Sequence, residues 1–160
     1  EAIEHRLGLW GLWLLIAGLC VSPLRRLAGI NLIRFRRTIG LLAFGYVFLH
    51  MLVWLVLDVQ IPGQIWADIV KRPYITVGMA ALLLMLPLAL TSNDWSVRRL
   101  GARGWQRLHR LTYAVALLGG LHFVMLSKGF QLEPLLYLAA VVALVGLRFV
   151  PRRGRPRTAG

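Results

Sequence analysis

Residues 38–57 read TIGLLAFGYVFLHMLVWLVL, twenty positions without Asp, Glu, Lys or Arg, bounded by Arg36-Arg37 and Asp58 and holding one histidine, His50. At 1.5 Å per residue, a helix of ~20 residues covers the ~30 Å hydrocarbon core of a bilayer. The run shows no period-two alternation, so it does not suit the strand of a membrane barrel. In hydrocarbon the backbone must pair its own N–H and C=O groups, and a helix does so. The segment is therefore predicted to be a transmembrane helix carrying an ionisable ring within it.

Working outward, four further stretches are nearly free of charge: residues 7–24, 73–93, 111–127 and 131–147, the last with Glu133 near its outer end. The predicted fold is an all-α membrane protein, one polytopic helix bundle over residues 1–160 with five visible spans. Composition agrees, with 58% hydrophobic and 16% charged residues, too little polar surface to cover a soluble core. The first run is not a signal peptide: Glu1 and Glu4 precede it, and Pro23-Leu24-Arg25-Arg26 replaces a small-residue cleavage site. With no initiator methionine, the chain is expected to begin partway into a longer protein, one span short of six.

Charge sorts the connections. The segments after spans one and three and the C-terminal tail hold fifteen of the nineteen basic residues and one acid, Asp94. The N-terminus and the segments after spans two and four hold the other four, Arg6, Lys71, Arg72 and Lys128, with five acids. The positive-inside rule makes the arginine end cytoplasmic and the visible N-terminus outside, periplasmic in a bacterial inner membrane. A pI near 11.6 then reflects topology and contact with anionic lipid headgroups, and nucleic-acid binding is excluded. The lone Cys20 rules out an internal disulfide and a thiolate cluster.

Histidines at membrane depth are costly and functional by default. His50 lies 13 residues past Arg37 and His122 lies 12 past Arg110, roughly 20 and 18 Å of rise along two spans running the same way. Two imidazoles at one level can grip a haem iron from both sides; a proton relay or two satisfied core histidines is the competing reading. His109, 13 residues before His122, is expected on the same helix, about 20 Å below and roughly 140° around it. Gly119-Gly120 between them would either permit a kink or serve helix packing. No second imidazole matches His109. Arg36 stands at the corresponding position, a poor iron ligand but a good partner for haem propionates. His5 is expected to be solvated near the outer edge. Trp54, Trp66, Trp95 and Trp105 are expected to be interfacial anchors, Met51, Met79, Met85 and Met125 packing residues, and Pro87 a kink. Gly-rich phosphate loops, zinc motifs and nucleophile–base pairs are missing from the sequence.

A series of motifs then carries a resemblance over nearly the whole chain. These are Ser22-Pro23-Leu24-Arg25-Arg26, Arg36-Arg37-Thr38-Ile39-Gly40-Leu41 leading to Leu49-His50, Lys71-Arg72-Pro73-Tyr74-Ile75-Thr76-Val77-Gly78, Leu90-Thr91-Ser92, Trp105-Gln106-Arg107-Leu108-His109-Arg110-Leu111-Thr112-Tyr113 and Leu121-His122-Phe123. The sequence resembles the haem-binding membrane subunits of bacterial periplasmic protein-methionine-sulfoxide reductase systems, the MsrQ or YedZ family, within the wider ferric-reductase-like transmembrane family. The resemblance implies b-type haem, one or two, on His50, His109 and His122. It also implies electrons drawn from the quinone pool or a cytoplasmic flavin reductase, with bound FMN as a further cofactor. They would be delivered to a periplasmic molybdopterin enzyme that repairs methionine sulfoxide in proteins. Paired histidines on two helices, found in oxidases of the wider family, are departed from here by Arg36. An electron conduit is thus expected; the alternatives are a self-contained ferric or oxygen reductase and a haem-free transporter with a histidine proton relay.

Overall fold

The computed structural model describes residues 2–58, 61–127 and 131–150. It is helical, with no strand among the described residues. Seven α-helices follow in order: α1 (Ala2–Leu27), α2 (Arg36–Val53), α3 (Pro62–Lys71), α4 (Pro73–Leu90), α5 (Asp94–His109), α6 (Leu111–Leu126) and α7 (Leu132–Gly146). The five predicted spans correspond to α1, α2, α4, α6 and α7. Four of the helices are long and apolar enough to cross a membrane, α6 being reckoned together with α5. At 15 residues α7 reaches only ~22 Å.

Two of the connections between the predicted spans are themselves helices. Pro62 starts α3, where its missing N–H costs nothing. The helix turns Ile65 and Ile69 onto Trp54 and Ile75, and Thr76 Oγ1 donates to the Ile69 carbonyl at 2.6 Å. At the opposite end Asn93 caps α5 by accepting the Ser96 N–H at 2.8 Å. A bend in α5 falls at Gly101, whose φ of 69° suits glycine. The first turn of α5 is tied to the first turn of α2 by Arg37 Nη2 and Asp94 Oδ1, 2.7 Å apart.

Neighbouring packing runs α2–α1–α6–α4–α2, with α7 against α1 and α6. The helices α2 and α6 are thus not close-packed neighbours but face each other across the interior. A buried apolar cluster of Leu15, Ala43, Met85 and Val115 joins α1, α2, α4 and α6 at mid-depth. A second cluster, Leu19, Ala116, Val141 and Val145, seats α7. Of the two readings of Gly119-Gly120, packing is the one seen: a Cβ on Gly120 would stand 3.0 Å from Leu138 Cδ1 of α7, and α6 runs through without a break.

Candidate functional site

His50 projects from the last turn of α2, directly before a π-helical turn over Trp54–Asp58. Such turns are rare and favour functional sites because they re-aim the residues around them. His122 projects from α6. Their rings meet across the bundle with centroids 6.1 Å apart and planes at 81°. Two imidazoles bonded to one metal ion at ~2.0–2.1 Å each, in line through it, would have centroids roughly 6 Å apart.

Each ring is held by the same local device on a different neighbouring helix. His50 Nδ1 donates to the Glu4 carbonyl of α1 at 2.8 Å, and a Cβ on Gly8, one turn further along, would lie 3.2 Å from the His50 ring. His122 Nδ1 donates to the Tyr74 carbonyl of α4 at 2.7 Å, and a Cβ on Gly78 would lie 2.9 Å from its ring. In both cases the glycine lets the imidazole lie against the backbone and reach the carbonyl four residues earlier. With Nδ1–H spent on a carbonyl, the lone pair is on Nε2, the tautomer a metal ligand needs. The donor set therefore fits a haem iron.

A cavity of about 140 Å³ surrounds the pair and runs along α1 from Glu4 to Leu15. His5 lies at its outer end, its ring 5.6 Å from Phe123. Met51, Met79 and Met85 line it. Trp54, expected as an anchor, is instead buried against Ile75. Trp66 and Trp95 are exposed.

A second cavity of about 560 Å³ opens toward the arginine end, and both Arg36 and His109 line it. His109 does not share a helix with His122. It ends α5, and a turn at Arg110, whose N–H bonds back to Arg107, separates it from α6. Trp105, also expected as an anchor, stacks on His109 with centroids 3.7 Å apart and donates through Nε1 to the Thr91 carbonyl at 2.8 Å. His109 Nε2 lies 3.1 Å from Thr91 Oγ1, whose own proton goes to the Pro87 carbonyl at 2.6 Å. Leu15, Met85 and Val115 belong to both cavities, so the mid-depth cluster forms the partition between them.

Gly8 and Gly78 are the site residues that sequence reasoning missed. Their signal was faint: a glycine inside an apolar run, and for Gly78 a place at the end of the Lys71–Gly78 motif.

The family model described as "Ferric reductase like transmembrane component" matches residues 7–120. Among curated proteins, the chain is similar to one from Agrobacterium fabrum named protein-methionine-sulfoxide reductase heme-binding subunit MsrQ, at 54% identity over 92% of this chain and 68% of that one. The identically named protein of Rhizobium meliloti is 53% identical over 96% of this chain and 71% of its own. That of Brucella anthropi is 46% identical over 98% and 71%. No solved structure matches the chain.

Proposed function

Because the chain belongs to the ferric reductase-like transmembrane family, alongside the heme-binding subunits named MsrQ, we propose that it is a membrane cytochrome carrying electrons to a methionine sulfoxide reductase. The observation that carries this reading is the His50–His122 pair at 6.1 Å, with both Nδ1 atoms committed to backbone carbonyls. Nε2 of each would hold the iron of a b-type haem, which when bound supplies one-electron ferric–ferrous chemistry. The chain's part is to fix both imidazoles and keep the surroundings apolar, not to make or break a substrate bond.

The finer assignments are proposals too. The acceptor is a periplasmic molybdopterin reductase meeting the end of the bundle where His5 and Glu4 open the upper cavity. The donor is the quinol pool or a cytoplasmic flavin reductase, with FMN as intermediate carrier, acting at the arginine end. The membrane is the bacterial inner membrane, the visible N-terminus periplasmic and the C-terminus cytoplasmic; the lopsided basic residues support that orientation. His109 and Arg36, on one cavity, form the inner site. His109 offers one imidazole there, and its Nε2 must leave Thr91 to bind a metal.

The test is spectroscopic. Protein purified from haem-supplied cells is expected to show a Soret band that shifts on dithionite reduction. His50→Ala and His122→Ala should each lose most of it. Full haem retention in both variants, or a colourless wild type, overturns the reading.

A further inference from the structure

The inner histidine is held the opposite way round from the outer pair. Thr91 closes α4 as its C-cap residue, and its Oγ1 stands 2.6 Å from the Pro87 carbonyl. Two oxygens come that close only with a proton between them, and a carbonyl has none to give, so the Thr91 hydroxyl is the donor. A hydroxyl carries one proton. Toward His109 Nε2, 3.1 Å away, Thr91 Oγ1 therefore accepts, which puts a hydrogen on Nε2. Arg34, Arg36 and Arg37 line the same cavity, and no carboxylate does among the described residues, so nothing there favours a second proton on the ring. His109 is then neutral with its lone pair on Nδ1. In His50 and His122 the free nitrogen is Nε2, because Nδ1 of each donates to a carbonyl.

Thr91 fixes the place of the ring as well as its tautomer. Its carbonyl accepts from Trp105 Nε1 at 2.8 Å, and Trp105 lies on His109 with the two planes at 20°. One residue thus holds both members of the stack. Ligation of a haem iron through Nε2 would break the Thr91 bond. Ligation through Nδ1, next to the ring carbon that bears the side chain, would drive a porphyrin against the residue's own Cβ and backbone. His109 is also the one histidine on this cavity among the described residues. These residues do not fit a second haem. Nδ1 makes no hydrogen bond to the described residues, yet it is not sealed off, since the enclosed side-chain nitrogen without a partner is Arg148 Nε. At about 560 Å³, with Leu14, Ile39 and Phe44 beside Gln106 and Thr112 on its walls, the cavity has the size and mixed lining of a small-molecule site.

We propose that the inner cavity takes a reduced planar ring that donates a hydrogen bond, from a ring O–H or N–H, to His109 Nδ1, and that Thr91 is the positioning residue for this contact. A hydroquinone and a reduced flavin share that chemistry. The inference rests on the reading that the electron donor enters at the arginine end, and it is independent of the outer haem.

Histidine ¹⁵N NMR of the dithionite-reduced protein, with the His109 signals assigned by their loss in His109→Phe, reads the tautomer. Wild type and Thr91→Ser are expected to carry the hydrogen on Nε2. Thr91→Val, which keeps the shape and removes the hydroxyl, should shift it wholly or partly to Nδ1. Anaerobic calorimetric titration with menadiol and with reduced FMN separates the two sources. The probe that fits should bind wild type and Thr91→Ser alike, and His109→Phe roughly tenfold more weakly, the loss of one hydrogen bond. Pyridine haemochrome on the same preparations should be unchanged between wild type and His109→Phe. A hydrogen on Nδ1 in wild type, a haem lost in His109→Phe, or equal binding of each probe to wild type and His109→Phe overturns the proposal, as does binding of neither. A protein without any haem sinks the cytochrome reading, while the NMR and titration still decide this one. Should Thr91→Val fail to fold, wild type and His109→Phe carry the same three comparisons.

Discussion

Gly8 and Gly78 decide how near each imidazole comes to a neighbouring backbone, and they do so unequally. A methyl group on Gly78 would sit 2.9 Å from His122 Cε1 and Nδ1, whereas on Gly8 the approach to His50 is 3.2 Å. The His122 ring is fixed by its bond to Tyr74, so it must tilt or surrender that bond. Gly78→Ala is therefore expected to lower haem retention and shift the midpoint potential more than Gly8→Ala. Haem per protein and redox titration of the folded variants measure this; equal, unchanged values in both would remove the glycines from the site. The histidines were legible in the sequence because depth along a span can be counted from the last arginine. The glycines were not, since a close approach between helices belongs to tertiary packing and leaves no period in one strand of text.

At the level of helices, contacts between α1 and α2 depend on Gly11, where an added Cβ would lie 2.7 Å from Val47 Cγ2. Valine is stiff at χ1, so Gly11→Ala should cost about 1–3 kcal/mol of stability through overpacking. Gly45, with nothing within 4 Å, is the contrast: Gly45→Ala should be neutral or gain up to ~1 kcal/mol in helix propensity. Thermal unfolding in one detergent compares them. The tie between α2 and α5 is electrostatic. Its hydrogen bond to Arg37, then the charge of Arg37, holds the Asp94 carboxyl below its ordinary pKa. The folded value lies under the unfolded one, so the stabilisation is complete above about pH 4 and fades as pH falls through the depressed value. The pair is exposed and the effect small; Asp94→Asn should erase that acid limb of the melting-temperature profile. The sequence hid α3 and α5 as helices because neither is a long uncharged run: both are amphipathic and carry charge.

For the whole molecule, the five apolar helices followed from composition and the positions of charge, but the diagonal placement of α2 and α6 did not. Parallel spans at matched depth are compatible with side-by-side or facing arrangements, and only the packing of α1 and α4 between them selects the second. The two cavities make a prediction about stoichiometry. Pyridine haemochrome per mole of protein, on wild type and His109→Ala, should read two falling to one if the inner cavity holds a second haem. A value of one in both leaves that cavity to the electron donor. His50→Ala and His122→Ala should each remove the outer haem in either case.

The partition of Leu15, Ala43, Met85 and Val115 bears on energy conservation. An electron can tunnel through such saturated side chains, yet they offer no donor or acceptor along which a hydrated proton could hop. A bundle divided in this way can pass reducing equivalents without short-circuiting the ion gradient that the surrounding membrane maintains.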